Sequence, residues 1–166
     1  SMRAMLDANP ETVRAKLFTP SWSKVYGESG IFLHVTFDNG VEWSFNACQE
    51  GVAAYADSGH TSFEMFGKKG TIRNNREGSP KAYVEIPTKE PKEIDLGGAI
   101  PNENELKYPP GWKTTFLKAI EAIESGEKHE TCYADNLWTM AIAMCARESH
   151  QRGGCPVDVK EYMQLE

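Results

Sequence analysis

The chain has 166 residues, enough for one domain with a sizeable core and short of two comfortable ones. Its 18 basic and 24 acidic side chains leave a net charge of −6, which disfavours nucleic acid and anionic membrane surfaces as partners. Hydrophobic residues make up 40%, yet no apolar run approaches the roughly 20 residues that a membrane-spanning helix needs.

In chain order, Ser1-Met2 reads as a tag remnant, and Arg3 to Leu6 as the tail of a helix. Asp7 to Pro10 ends it, because proline disfavours helix at the residue before it. Val13, Ala15 and Leu17 alternate with Arg14, Lys16 and Phe18, the period of a strand. Thr19 to Gly30 is a polar loop that carries Trp22 and Tyr26. Ile31 to Phe37 is a second strand, with Ile31, Leu33, Val35 and Phe37 on one face and His34 on the other. Asn39-Gly40 then marks a tight hairpin in which both central residues adopt positive φ. Val41, Trp43, Phe45 and Ala47 form the apolar face of a third strand.

Gln49 to Gly59 connects to a fourth strand at Thr61 to Phe66. Further strands are expected at Thr71 to Asn74, Ala82 to Ile86 and near Glu93 to Leu96. An irregular stretch rich in proline and glycine reaches Pro110. Two helices follow. Trp112, Phe116, Ala119, Ile120 and Ile123 make one apolar stripe, stopped by Ser125-Gly126. Ala134, Leu137, Trp138, Ala141, Met144 and Cys145 make a wider one, ended by Gly153-Gly154 and Pro156. A last strand is expected over Val157 to Lys160. Strands segregated from helices predict an α+β fold: an open, mostly antiparallel sheet with helices packed on one face. The other face is open or covered by a partner.

Few residues carry recognisable chemistry. The cysteines at 48, 132, 145 and 155 lack metal-ligand spacing, so no metal site is expected, and a reduced, cytoplasmic setting fits them. Cys145 reads as a small core residue. Gly67-x-x-Gly70 has no helix behind it, so it predicts a hairpin turn and not a phosphate cradle. Lys68, Lys69, Arg73, Arg76 and Lys81 form a basic stretch without interleaved aromatics, the mark of a solvated hairpin. His34 and His60 face either a pocket on the sheet or water. His129 and His150 flank helix ends and are expected to be solvated. Trp22, Tyr26 and Tyr55 are large aromatics in polar loops. They need cover from the sheet edge, a neighbouring subunit or the apolar face of a sugar ring.

The order of Phe37 to Gly40, Phe63 to Ile72, Phe116 to Gly126 and Tyr133 to Val157 resembles the C-terminal domain of the Gfo/Idh/MocA family. That group comprises the glucose–fructose oxidoreductases, inositol dehydrogenases and rhizopine-catabolism proteins. The resemblance spans nearly the whole chain. It implies that residues 1–166 form a single substrate-side and oligomerisation domain, the N-terminal Rossmann domain being absent from this chain. The intact protein is then an NAD(P)-dependent dehydrogenase transferring hydride to or from a sugar, polyol or related carbonyl. NAD or NADP is held by the Rossmann half, and this fragment alone is expected to bind no cofactor and to be inactive. The catalytic residues implied by the resemblance fall upstream of Ser1, so none is assigned here. Trp22, His34 and Tyr55 are the residues expected to meet a sugar-like substrate. The open sheet face is expected to form a homo-oligomer, most simply a dimer. A non-catalytic carbohydrate-binding or scaffold domain is the alternative.

Overall fold

The computed structural model describes residues 2–49, 63–74, 81–85, 90, 92–95, 112–129 and 132–164. The chain divides into two compact units, one of residues 1–51 with 127–166 and one of residues 52–126. The fold is α+β, as the segregation of strands and helices predicts.

The first unit opens with a short helix, α1 (Met2–Leu6), which ends where Asp7 adopts a φ of 47°. Three antiparallel strands follow: β1 (Pro10–Phe18), β2 (Gly30–Phe37) and β3 (Glu42–Cys48). The unit resumes with a long helix, α3 (Tyr133–Gln151), then β8 (Val157–Asp158) and α4 (Val159–Met163). The sheet order is β3-β2-β1-β8. The second unit holds β4 (Glu64–Gly67), β5 (Gly70–Asn74), β6 (Lys81–Glu85) and β7 (Lys92–Asp95), an antiparallel meander. It also holds the helix α2 (Trp112–Ser125).

The core of the first unit lies between one face of its sheet and α3. Val13, Ala15, Leu33, Val35 and Phe37 are buried there with Ala141, Cys145 and Ala146, and Trp43 and Phe45 pack alongside. The alternation in β2 therefore buries Leu33, Val35 and Phe37 and half-buries Ile31. The Phe37 and Trp43 rings lie 6.5 Å apart and the Trp43 and Phe45 rings 5.6 Å, a tilted aromatic row along the β2–β3 pair.

Several expectations are corrected. The last strand stops at Asp158, whose side chain accepts the Glu161 N–H at 2.8 Å and starts α4 instead. The seam of α3 runs through Ala141, Cys145, Ala146 and Ser149, while Ala134 and Met144 are exposed. Small residues let the helix approach the sheet, so the largest side chains do not mark the seam. The Asp38–Gly40 turn has three residues, not two. Thr36 pairs with Glu42, the Gly40 N–H donates to the Phe37 carbonyl at 2.8 Å, and only Gly40 has positive φ, at 80°. Phe116, Ile120 and Ile123 of α2 are exposed, although their spacing reads as a buried stripe.

The end of α3 follows the glycine signal. The Gly154 N–H reaches the Ser149 carbonyl at 2.7 Å and the Gly153 N–H the His150 carbonyl at 3.1 Å. Both glycines have positive φ, the backbone of a Schellman cap. Gly67 and Gly70 flank a two-residue turn, Lys68-Lys69, between β4 and β5, so this motif is a hairpin.

Candidate functional site

The exposed face of the first sheet is built by the even-numbered residues of β1 to β3. Register places Thr12, Arg14 and Lys16 beside Thr36, His34 and Phe32, and these beside Glu42, Ser44 and Asn46. His34 stands at the centre of this polar lattice. Its Nε2 lies 2.7 Å from Glu42 Oε2 and its Nδ1 3.0 Å from Ser44 Oγ. A carboxylate only accepts, so Nε2 carries a hydrogen. With a neutral ring, the Ser44 hydroxyl then donates to Nδ1. Glu42 Oε2 also accepts from the Thr36 hydroxyl at 3.0 Å. The side chains of His34 and Glu42 remain 44% and 55% exposed, so the array is accessible and wet. Oriented donors and acceptors on an open sheet suit a polyhydroxylated ligand.

Trp22 lies in the β1–β2 loop, 64% exposed, with Tyr26 also exposed. The loop is braced by the Thr19 hydroxyl donating to the Gly27 carbonyl at 2.9 Å and the Ser23 N–H donating to the Pro20 carbonyl at 2.9 Å. Phe18 stacks on Phe32 at the loop end of the same face, with ring centroids 5.1 Å apart. The strand from Arg14, which pairs with His34, to Phe18 spans roughly 13 Å at about 3.3 Å per residue. His34 thus lies on the strand pair and Trp22 in the loop beyond its Phe18 end. Tyr55 and His60 lie outside the described residues.

Two polar sites escape a reading by motif. Ser149 is fully buried; its Oγ accepts the Ala15 N–H at 2.9 Å and donates to the Cys155 carbonyl at 2.7 Å. Next to it, His150 Nδ1 accepts the Leu17 N–H at 3.3 Å. Strand β8 pairs with β1 only at Thr12 and Val13, so these side chains serve the β1 amides that β8 does not reach. His150 is therefore an acceptor against the sheet edge and not a solvated terminal residue, and His129 is likewise half-buried. The other site is Arg3, which forms a two-point pair with Asp135 at 2.9 and 3.2 Å. Hydrogen bonding from Arg3 holds the Asp135 carboxyl below the usual carboxylate range, against partial burial, with the charges of Arg3 and Lys128 adding to the shift.

Gly67-x-x-Gly70 is no phosphate cradle: that motif opens onto a helix N-terminus, whereas here it joins two antiparallel strands. Among the described residues no group of three or more His, Cys, Asp or Glu is placed to hold a metal ion. No helix there is long and apolar enough to cross a membrane.

Comparison with solved structures places this fold among oxidoreductases. An oxidoreductase from Agrobacterium radiobacter, in complex with NAD+, L-tartaric acid and magnesium, superposes with a TM-score of 0.74 at 22% identity over 96% of this chain. A levoglucosan dehydrogenase in complex with NADH and L-sorbose gives 0.62 at 21% identity over 91% of this chain. An inositol dehydrogenase homologue from Azotobacter vinelandii, complexed with NAD+, gives 0.63 at 15% identity over 95% of this chain. This chain covers 46%, 45% and 45% of those three proteins, less than half of each. No protein-family model matches the chain, and no curated protein matches it. The class defined is therefore a fold: that of one portion of NAD-complexed oxidoreductases.

Proposed function

We propose that this chain is the substrate-side and oligomerisation domain of an NAD(P)-dependent oxidoreductase that acts on a sugar, polyol or related carbonyl by hydride transfer. The observation that carries the reading is the pattern of coverage. Nearly all of this chain superposes on less than half of proteins whose structures hold NAD+ or NADH. On this reading the remainder of the intact protein is the cofactor half. NAD or NADP, bound there, supplies the hydride chemistry.

The role of this chain is to bind and orient. His34, held between Glu42 and Ser44, presents a fixed ring on the sheet. Trp22 and Tyr55 are the aromatics we propose to meet the substrate, an aromatic face suiting the apolar face of a sugar ring. Orientation matters because a near-attack geometry supplies a large part of the barrier reduction in a hydride transfer. The four cysteines are free thiols, in keeping with a reduced, cytoplasmic setting.

The test is a pair of titrations. Fluorescence titration of this chain with NADH is expected to show no binding at micromolar concentration. A longer protein carrying the cofactor half is expected to bind NADH and to reduce NAD+ with a sugar or polyol from a panel. Micromolar NADH binding by the 166-residue chain alone would sink the division of labour. Sugar binding by a longer protein that never binds a nicotinamide cofactor would favour a carbohydrate-binding module instead.

A further inference from the structure

Helix α1 is fastened to this unit at both of its ends. The Arg3 side chain is only 10% exposed, and its five N–H groups make six hydrogen-bond contacts, one N–H of Nη1 being shared between two acceptors. Nη2 donates to Asp135 Oδ1 at 2.9 Å and to Asn9 Oδ1 at 2.8 Å, and Nε donates to the same Asn9 oxygen at 3.3 Å. Nη1 donates to Asp135 Oδ2 at 3.2 Å, to the Asp135 carbonyl at 2.9 Å and to Thr139 Oγ1 at 3.1 Å.

The far end of α1 is held separately. Asn39 Nδ2 donates to the Leu6 carbonyl at 3.1 Å, and the Asn9 N–H donates to Asp38 Oδ1 at 3.1 Å. The Asp38 N–H returns a bond to the Asn9 carbonyl at 3.0 Å. Helix α3 thus grips one end and the β2–β3 turn the other.

Apolar contacts alone would dock such a helix, and Met2 and Leu6 do pack against the core. Such contacts are non-directional. A planar guanidinium held in two-point register with a carboxylate fixes an angle as well as a distance. Desolvating that charge is costly, so stability alone is a poor reason for it. We propose that Arg3 is a positioning residue: its clamp on Asp135, Asn9 and Thr139 sets the direction in which α1, and the chain that precedes it, leaves this unit. The inference rests on the proposed reading in which a cofactor half precedes α1. The clamp would then set where that half stands relative to the substrate-bearing sheet.

Amide hydrogen exchange on this chain tests the clamp directly. Arg3→Gln and Asp135→Asn are each expected to speed exchange at Ala8 and Asn9 by about tenfold or more, a local opening. The amides of Ala15 and Phe37, within the sheet, keep their original rates. Arg3→Lys restores protection only in part, because an ammonium lacks the fork. Unchanged exchange at Ala8 and Asn9 overturns the proposal. So does a uniform rise that includes Ala15 and Phe37, since Arg3 is then a general stabiliser. In the longer protein, Arg3→Gln is expected to lower kcat by about tenfold or more with the KM for the nicotinamide cofactor unchanged. An unchanged kcat overturns the positional role. A longer protein that binds no nicotinamide cofactor refutes the proposed function instead, and the clamp is then judged on exchange alone.

Discussion

At the scale of single residues, the informative groups are polar or reactive ones inside the core. Ser149 supplies both a donor and an acceptor where β1 runs out of partner strand. Ser149→Ala leaves the Ala15 N–H buried without its acceptor, a loss of about 1–3 kcal/mol. Urea unfolding is expected to show a lower midpoint with an unchanged m value; a midpoint within error of the original would contradict the bridging role. Cys145 is the second case. Burial pushes its thiol up to about 11 from 9.0, with Asp158 and Glu148 adding to the shift. A raised folded value means that the thiol's contribution is complete below pH 9.0 and is lost as pH rises through about 11. Maleimide labelling read by peptide mass is therefore expected to modify the exposed Cys155 at pH 8 and to reach Cys145 only as urea unfolds the chain. Equal labelling rates in native buffer would refute this. The sequence made Cys145 legible as a core residue because it lies on an apolar helical period. Ser149 was not legible, because its burial answers a vacancy on a strand edge that periodicity does not reveal.

At the scale of elements, the β1–β2 hairpin was read almost to its ends, since strict alternation fixes which side chains turn inward. What alternation cannot supply is the contact that sets register. Phe18 pairs with Gly30 across the hairpin, and a Cβ on Gly30 would run into the Phe18 ring. The ring lies over the glycine and stacks on Phe32, a cross-strand aromatic covering a residue with no side chain. Gly30→Ala is expected to cost about 1–3 kcal/mol through overpacking. In a Phe18→Leu background the same substitution is expected to be milder by about 1 kcal/mol or more, because the obstacle is gone. Strict additivity in that double-mutant cycle would show that the ring does not set the constraint. The same limit explains α3. Its extent and its glycine stop were visible, but its seam was displaced toward small residues, because close packing on a sheet selects volume and not hydrophobicity.

At the scale of the whole molecule, the even-numbered face of the first sheet is where the proposed assembly is decided. Phe32 is 58% exposed on the central strand of the β1–β2–β3 array, toward the loop end of that face. Charge is distributed unevenly about β2: Arg14 and Lys16 lie on β1, and Glu42 lies on β3. A two-fold axis parallel to β2 carries each copy's β1 over its partner's β3, so the basic strand meets the acidic one, with Glu42 over Thr12 and one cross-strand position along from Arg14. The pattern is thus self-complementary, which supports pairing of two such faces. Sedimentation velocity is expected to show a concentration-dependent dimer that Phe32→Glu converts to monomer. Arg14→Glu and Glu42→Arg are each expected to weaken the dimer, and the combined variant to regain part of the loss, since opposite charges again face one another. A single charge reversal that leaves association unchanged would remove this face from the interface. His34 would then be free to meet substrate, whereas a dimer formed here makes His34 part of a surface shared between copies. The two roles drawn from sequence for this face, substrate contact and assembly, compete for the same side chain, and the combined charge variant separates them.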